Sequence, residues 1–533
     1  MTCFKLPSHL ALTHRAGVAR CFPGLLAFAL IGCGGDDAVS GSTAASGYGD
    51  SDGGTGSYPD SGSATDATGA GTTGGDAGEV DTDGPTETTD TTGEPQSCVA
   101  EEDVVLFLSP DDSNSMSSPV QAREAASLGP SSLRWAPIRV WEFMNYYTFD
   151  YPIAELGAIS LTTELVEVEA DEGKRGYTLQ IGVGSETVTD EQRAPMNVTL
   201  VLDESGSMDG EPMAMLKESC RAIAASLKVG DTVSVVTWDV DNAVRLAGYQ
   251  VSGPDDATLL NVINALEAGG GTDLNGGLTA GYELATQVYD PARINRIVLI
   301  SDGGANVGVT SADLIAEKAG ANDADGIYMV GVGVGAPDEY NDALMDTVTD
   351  LGKGAAVFIP DADEAWKIFH ERFVNTMAVA VRDVQVELTM PPGFSIVRFS
   401  GEEFSADPTE IEPQHLAPND AMVFHQQIET CAPELVTEKS EIKVVARYKD
   451  AITFESASVE QTITFGDLLG VASPNLRKGA AVFAYAEALR ARRDATADQA
   501  DKLDEALDAL KAAEDALAGD IELAEIRAVL ESL

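Results

Sequence analysis

Five side chains with hard oxygen donors stand in three short runs: Asp203-Glu204-Ser205-Gly206-Ser207, Gly269-Gly270-Gly271-Thr272-Asp273 and Ser301-Asp302-Gly303. Asp203 and Asp302 supply charge, while Ser205, Ser207 and Thr272 supply neutral hydroxyls. An all-oxygen set of this kind suits Mg²⁺, which prefers octahedral geometry at roughly 2.0–2.1 Å and keeps several of its waters; Mn²⁺ or Ca²⁺ would meet the same donors. Two carboxylates leave a doubly charged ion electrophilic, with a position open to a carboxylate from outside. Taken singly, a Ser-Gly-Ser loop is a turn and a strand-end Asp is a cap. The case rests on all five occurring in order along one pattern of alternating strands and helices.

That pattern has to bring the three runs together. Val198 to Leu202 is a short apolar run with β-branched members, a strand buried on both faces, and it ends at Asp203. The helix after it has Pro212 near its start, with Leu216, Cys220, Ile223 and Leu227 at helical spacing. Ile297 to Ile300 is a second apolar strand, delivering Ser301 and Asp302. Loops at the carboxyl ends of parallel strands are where open α/β sheets hold ligands.

The D-x-S-x-S run, Thr272 and Asp302 together resemble the metal-ion-dependent adhesion site of the von Willebrand factor type A domain. The resemblance implies a Rossmann-like α/β fold, a parallel sheet with helices on both faces. It also implies a divalent cation on Asp203, Ser205, Ser207, Thr272 and Asp302. A type A domain over 195–375 accommodates strands at 231–238, 297–300, 327–332 and 355–359, and helices at 259–266, 276–288, 312–319, 340–350 and 365–373. Residues 239–258 read as turn-rich. Inside this stretch Gly331-Val-Gly333-Val-Gly335-Ala336 has the outline of a dinucleotide fingerprint, but Pro337-Asp338-Glu339 follows where pyrophosphate would need a helix start. Those glycines are read as packing contacts.

Arg139 to Tyr147 is dense in aromatics and resembles an R-x-x-E-x-x-N-Y-F segment that precedes the type A domain in a family of bacterial lipoproteins. Physically it reads as a helix whose Trp141, Met144 and Tyr147 face a core, with Pro152 beyond its end. Residues 161–168 and 177–183 alternate at period two and read as strands within an N-terminal segment, 104–194. Residues 378–470 hold short strands separated by Pro-Gly, Pro-Asn-Asp and Lys-Asp, an all-β region. Two strands alone are marginal in water. The leading pair is therefore expected to join the trailing strands in one β-sandwich, with the type A domain inserted between them. From 473 to 533 the chain is a helical module.

The amino-terminal segment reads as an export signal and a tether. Residues 1–32 form a basic then short apolar signal peptide, too short to span a bilayer. Leu30-Ile31-Gly32-Cys33 looks like a bacterial lipobox, which implies cleavage before Cys33, a lipid on its sulfur and a place in the cell envelope, with the outer membrane favoured by Gly34. After Cys33, residues 34–97 are mostly Gly, Ser, Thr, Asp and Ala with no Lys or Arg, so 33–97 reads as a lipidated cysteine and a disordered tether. The chain carries a formal charge of −54, which repels nucleic acid and limits membrane contact to the lipid anchor. Six cysteines make no disulfide framework. Cys98 and Cys431, outside regular elements, are the expected pair, with Cys220 a buried thiol.

A binding role follows from the open cation position: a protein ligand presenting an acidic residue to the metal, in adhesion or envelope assembly, without catalysis. The alternative is a Mg-dependent hydrolase of the cell envelope, since Asp or Glu could act as base and Mg²⁺ could activate water. His370, His415 and His425 show no metal-protease spacing.

Overall fold

The strand ending in Asp203 lies at the centre of a six-stranded sheet. The order across it is Asn242–Gln250, Thr232–Trp238, Met196–Asp203, Ile294–Ser301, Ile327–Val334 and Ala356–Ile359. This computed structural model describes residues 102–111, 114–170, 172–303, 326–338, 340–470 and 472–533. The signal peptide, Cys33, the tether, Cys98 and the helix expected at 312–319 lie outside the described residues. Among those described, no helix is long and apolar enough to cross a membrane.

Five of the six strands are parallel, as their apolar composition requires. Met196–Asp203 is buried along its whole length, and its side chains alternate between the two faces. Val198, Leu200 and Leu202 join Leu216, Cys220 and Ile223 of helix Glu211–Ser226. Val201 meets Leu274, Leu278 and Tyr282 of helix Leu274–Gln287 on the other face. That second helix approaches very closely: a Cβ on Gly281 would sit 2.4 Å from Val201 Cγ2, and one on Gly277 would sit 2.4 Å from Trp238 Cδ1.

Residues 239–258 correct the expectation of a turn-rich passage. Asn242–Gln250 is a strand, antiparallel to Thr232–Trp238, so the sheet has one antiparallel edge. Its side chains are mostly exposed or half-buried, and its register slips twice, so no apolar alternation marks it in the sequence.

Two further sheets face each other across a second core. One holds Ser160–Val168, Arg175–Gly184, Ala421–Thr430 and Phe394–Phe399. The other runs Glu403–Ser405, Val104–Ser109, Val381–Met390, Glu441–Asp450 and Ser456–Thr464. Tyr177, Leu179 and Ile181 from the first sheet and Val386, Leu388 and Val444 from the second share one buried cluster. Arg175–Gly184 pairs with Ala421–Thr430 over ten residues, so a strand preceding the α/β domain completes its ladder with one that follows it. The α/β domain is inserted in a β-sandwich. Val104–Ser109 is a strand beside Val381–Met390.

The aromatic segment forms helix Val140–Tyr146. Met144 and Tyr147 are buried, but Trp141 is only half-buried, and Phe143 and Tyr146 take the core positions instead. Phe143 packs edge-on to Tyr485 at 5.4 Å, joining this helix to the C-terminal helices Pro474–Arg493, Gln499–Ala516 and Ile521–Ser532. Cys431 is disulfide-bonded and Cys220 is a free, buried thiol.

Candidate functional site

The chain runs from Met196–Asp203 out to one neighbour, Thr232–Trp238, and later returns to the other side as Ile294–Ser301. The crevice at the carboxyl ends of these central strands is the switch point at which such sheets bind ligands. All three oxygen-bearing runs open there. Asp203 is the last residue of its strand, Ser301 is the last of the neighbouring one with Asp302 next, and Thr272 lies just before helix Leu274–Gln287.

Hydrogen bonds fix Asp203 in place. Its Oδ1 accepts from the Ser205 amide at 2.8 Å, and its Oδ2 accepts from the Ser301 hydroxyl at 2.7 Å. Ser301 Oγ in turn accepts from the Gly303 amide at 3.1 Å, which shapes the turn carrying Asp302. Ser205 Oγ and Ser207 Oγ lie 3.1 Å apart, two hydroxyls side by side at the loop. Asp203 and Ser205 are buried, Thr272 and Asp302 are half-buried, and Ser207 is exposed.

The Thr272 loop is tied to the Asp203 loop through Glu204, the residue between the first two donors. Glu204 N donates to Trp238 O at 2.9 Å, and Glu204 O accepts from Gly269 N at 2.7 Å. Its carboxylate takes Arg245 Nη2 at 2.7 Å and the Glu267 amide at 3.3 Å. Gly206 comes so close to the glycine run that a Cβ on it would meet Gly270 O at 3.3 Å. Asp239 O accepts from the Asp273 amide at 2.7 Å, a second strap on the same loop. Ser301, Glu204 and Asp239 escaped the sequence reading. Ser301 alone had a signal, its position at the end of an apolar strand.

Burial pushes the Asp203 carboxyl up to about 6; Ser205 and Ser301 pull it down by hydrogen bonding, and Asp302 adds to the rise. Among the described residues no basic side chain pairs with Asp203, and Arg245 is engaged by Glu204 in the same loop. A buried carboxylate beside a second carboxylate, satisfied only by hydroxyl and amide donors, carries unbalanced charge. A divalent cation would balance it, and the donor set is all oxygen, so the residues present fit Mg²⁺.

Residues 198–305 match the von Willebrand factor type A domain. The chain is 24% identical over 383 residues to the uncharacterised protein YfbK of Escherichia coli K12, covering 66% of each chain. It is 28% identical over 159 residues to inter-alpha-trypsin inhibitor heavy chain H2 of Sus scrofa, covering 28% of this chain and 16% of that one. The matches thus span less than two thirds of each relative's own length. Among solved structures, a von Willebrand factor type A protein from Catenulispora acidiphila superposes with a TM-score of 0.44 at 18% identity, covering 67% of this chain and 87% of that one.

Within the type A domain, the glycines of Gly331-Val-Gly333 are packing contacts. A Cβ on Gly331 would lie 2.2 Å from Thr349 Cγ2, and one on Gly333 would lie 2.3 Å from Tyr340 Cζ. They let helix Asp342–Leu351 lie against a strand that is buried throughout.

Proposed function

We propose that this chain is a lipid-anchored cell-envelope protein that binds a protein ligand through a divalent cation in its type A domain. Asp203, Ser205, Ser207, Thr272 and Asp302 hold the ion, and an acidic residue of the ligand completes its coordination. The observation that carries this reading is Asp203 itself, a buried carboxylate that receives only neutral donors and sits at the switch point of the sheet. Bound Mg²⁺ supplies Lewis acidity toward the incoming carboxylate; the chain's own loops orient the donors. The protein's charge of −54 opposes an acidic partner, so ligand capture should strengthen as salt screens the field.

Calorimetric titration of the purified protein with Mg²⁺ or Mn²⁺ tests the ion. At a hundredfold excess over its dissociation constant, a ligand specific to the native state adds about 2.7 kcal/mol. For a domain of this size that raises the melting midpoint of the type A transition by roughly 5–10 °C. Asp203→Ala should remove both the heat and the shift. Absence of both from the wild type at millimolar metal rules the reading out. Ligand capture is then followed by pull-down from envelope extracts with Mg²⁺ and with EDTA. Thr272→Ala should weaken capture more than metal affinity.

Anchoring is tested separately at Cys33. Growth with an acyl-chain analogue should label the wild type and leave Cys33→Ser unlabelled; equal labelling of both would remove the anchor from the proposal.

A further inference from the structure

At the opposite edge of the type A sheet, its base meets the β-sandwich around a cavity of about 460 Å³. This size is within the range of small-molecule pockets, about 300–1,000 Å³. The amino ends of Ile294–Ser301 and Ile327–Val334 form one wall and strand Val381–Met390 another. Strands of eight residues, at roughly 3.3 Å per residue, separate it from the Asp203 loop, so the two sites are distinct.

Four arginines line the cavity, and three of them are accounted for. Arg193 is paired with Asp231. Arg293 donates to the carbonyls of Met196 and Gly230. Arg296 donates to Met377 O at 2.8 Å and Ala378 O at 3.5 Å. Arg382 is different. It is only 6% exposed, yet among the described residues its guanidinium makes no hydrogen bond and no ion pair, and its Nε is buried without a partner. Two aromatic faces hold it, Phe454 at 4.0 Å and Tyr328 at 4.9 Å from Cζ.

The local backbone is shaped to put it there. The register of Val381–Met390 against its neighbour slips between Arg382 and Gln385, and Asp383 has φ +51°. Strand alternation turns Arg382 away from the sandwich core that takes Val381, and the slip after it returns Val384 to that core. Gly326 leaves the guanidinium its room, since a Cβ there would lie 2.4 Å from Arg382 Nη2.

Arg296 shares the Tyr328 ring at 5.2 Å, so two buried cations stand close together. Burial, together with Arg382, holds Arg296 down to about 10. Of the two carboxylates in the lining, Asp450 is held below its ordinary range by the Thr453 amide first and by Arg382 among the lesser causes, yet among the described residues neither carboxylate forms an ion pair with either arginine. Asp450 Oδ1 is occupied by the Ile452 and Thr453 amides at 2.9 and 2.7 Å, and Glu186 accepts from the Gly157 amide. A buried guanidinium with no bonded counter-ion is costly, and its Nε–Nη edge is a fork that matches a carboxylate. At the rim, Leu156, Ile452 and Phe454 are exposed apolar side chains.

We infer that this cavity binds a small organic carboxylate, with its head on Arg382 and an apolar body against Phe454, Ile452 and Leu156. Calorimetry on the whole protein with octanoate, and with octanamide as its uncharged twin, reads this directly. A hydrogen bond to a charged group contributes about 1.5–3 kcal/mol, which is roughly 10- to 150-fold in affinity, so octanoate should bind at least tenfold tighter than octanamide. Arg382→Gln should erase that margin. Ile452→Asp, at an exposed position that folding tolerates, should weaken octanoate by repulsion even if Arg382→Gln does not fold. Asp203→Ala should leave octanoate binding unchanged. No octanoate binding, equal binding of acid and amide by the wild type, a margin that survives Arg382→Gln, or octanoate binding indifferent to Ile452→Asp would overturn the assignment.

Discussion

Asp231→Ala should destabilise the type A domain by about 3–5 kcal/mol, the cost of leaving one member of a buried ion pair unpartnered. Arg193 and Asp231 are both fully buried, joined by Nη2–Oδ2 at 2.6 Å and Nη1–Oδ1 at 3.0 Å. Asp231 also accepts from the amides of Met196 and Lys228, both at 2.8 Å. Arg193 donates to Ser226 O at 3.1 Å and lies over the Phe373 ring. One pair therefore clasps the start of the Asp203 strand, the end of the helix that follows it and the closing helix of the domain. Removing the carboxylate strands the guanidinium and orphans two amides. The double change Arg193→Met, Asp231→Leu should recover part of the loss, because an apolar pair carries no desolvation penalty. Urea unfolding of both variants measures this. A loss under about 1 kcal/mol, within the range of surface pairs, would show that water reaches the pair.

Arg139→Ala should cost a similar amount at neutral pH and, unlike Asp231→Ala, recover on acidification. Glu142 is fully buried, and Arg139 binds it through Nε while reaching Asp342 at 2.6 Å through Nη1. Ser118 N donates to Glu142 at 2.7 Å, and Gln121 donates to Asp342 at 2.6 Å. Burial already raises the Glu142 carboxyl above its ordinary range; Arg139 holds it down and Asp342 pushes it up. Without Arg139 the rise must grow. The sign follows from proton counting: between the unfolded and the higher folded pKa the native state holds the extra proton, so stability increases as pH falls through that window. Unfolding midpoints at pH 7.5 and 5.5 should therefore converge on the wild type at the lower pH. A gap unchanged with pH would mean that Glu142 and Asp342 find other donors. Glu142→Gln, which keeps the shape without the charge, should be milder.

These two clusters mark the boundary of what the chain discloses residue by residue. Met196–Asp203 and Ile294–Ser301 are legible because burial on both faces demands unbroken apolar runs, and a strand end followed by D-x-S-x-S announces its own position. Asn242–Gln250 is not legible: an edge strand needs no apolar face, and its Arg245, Gly248 and Gln250 look like a loop. Arg139 and Glu142 stand plainly in an aromatic helix, but their third partner, Asp342, is about two hundred residues away, with no local mark distinguishing it from a solvated acid. Trp141 was expected inside on helical spacing and is half-exposed, because Phe143 and Tyr146 bring the helix round toward Tyr485 and Glu364. Arg382 gives no warning either, since a charged residue in a β-rich stretch is ordinarily on the outer face. Periodicity reports burial of apolar groups; buried charge is decided by partners that only the fold assembles.

The inserted topology also sets a timetable. Gly184 pairs with Ala421 and Arg175 with Thr430, so the ladder between these strands closes over 237 to 255 residues of chain. At synthesis rates of about 5–20 residues per second, Arg175–Gly184 waits on the order of 12–50 s for its partner to emerge. Its other partner, Ser160–Val168, is available at once, but two strands make a marginal ladder. Met196–Asp203, by contrast, acquires both neighbours once residue 301 has been made, and its sheet is complete by residue 359. The inserted domain can thus be assembled while its host is still half a sandwich, with an apolar face of Tyr177, Leu179, Ile181 and Val183 standing open. That half-sandwich is the apolar surface left open longest during synthesis, and it lies upstream of the inserted domain.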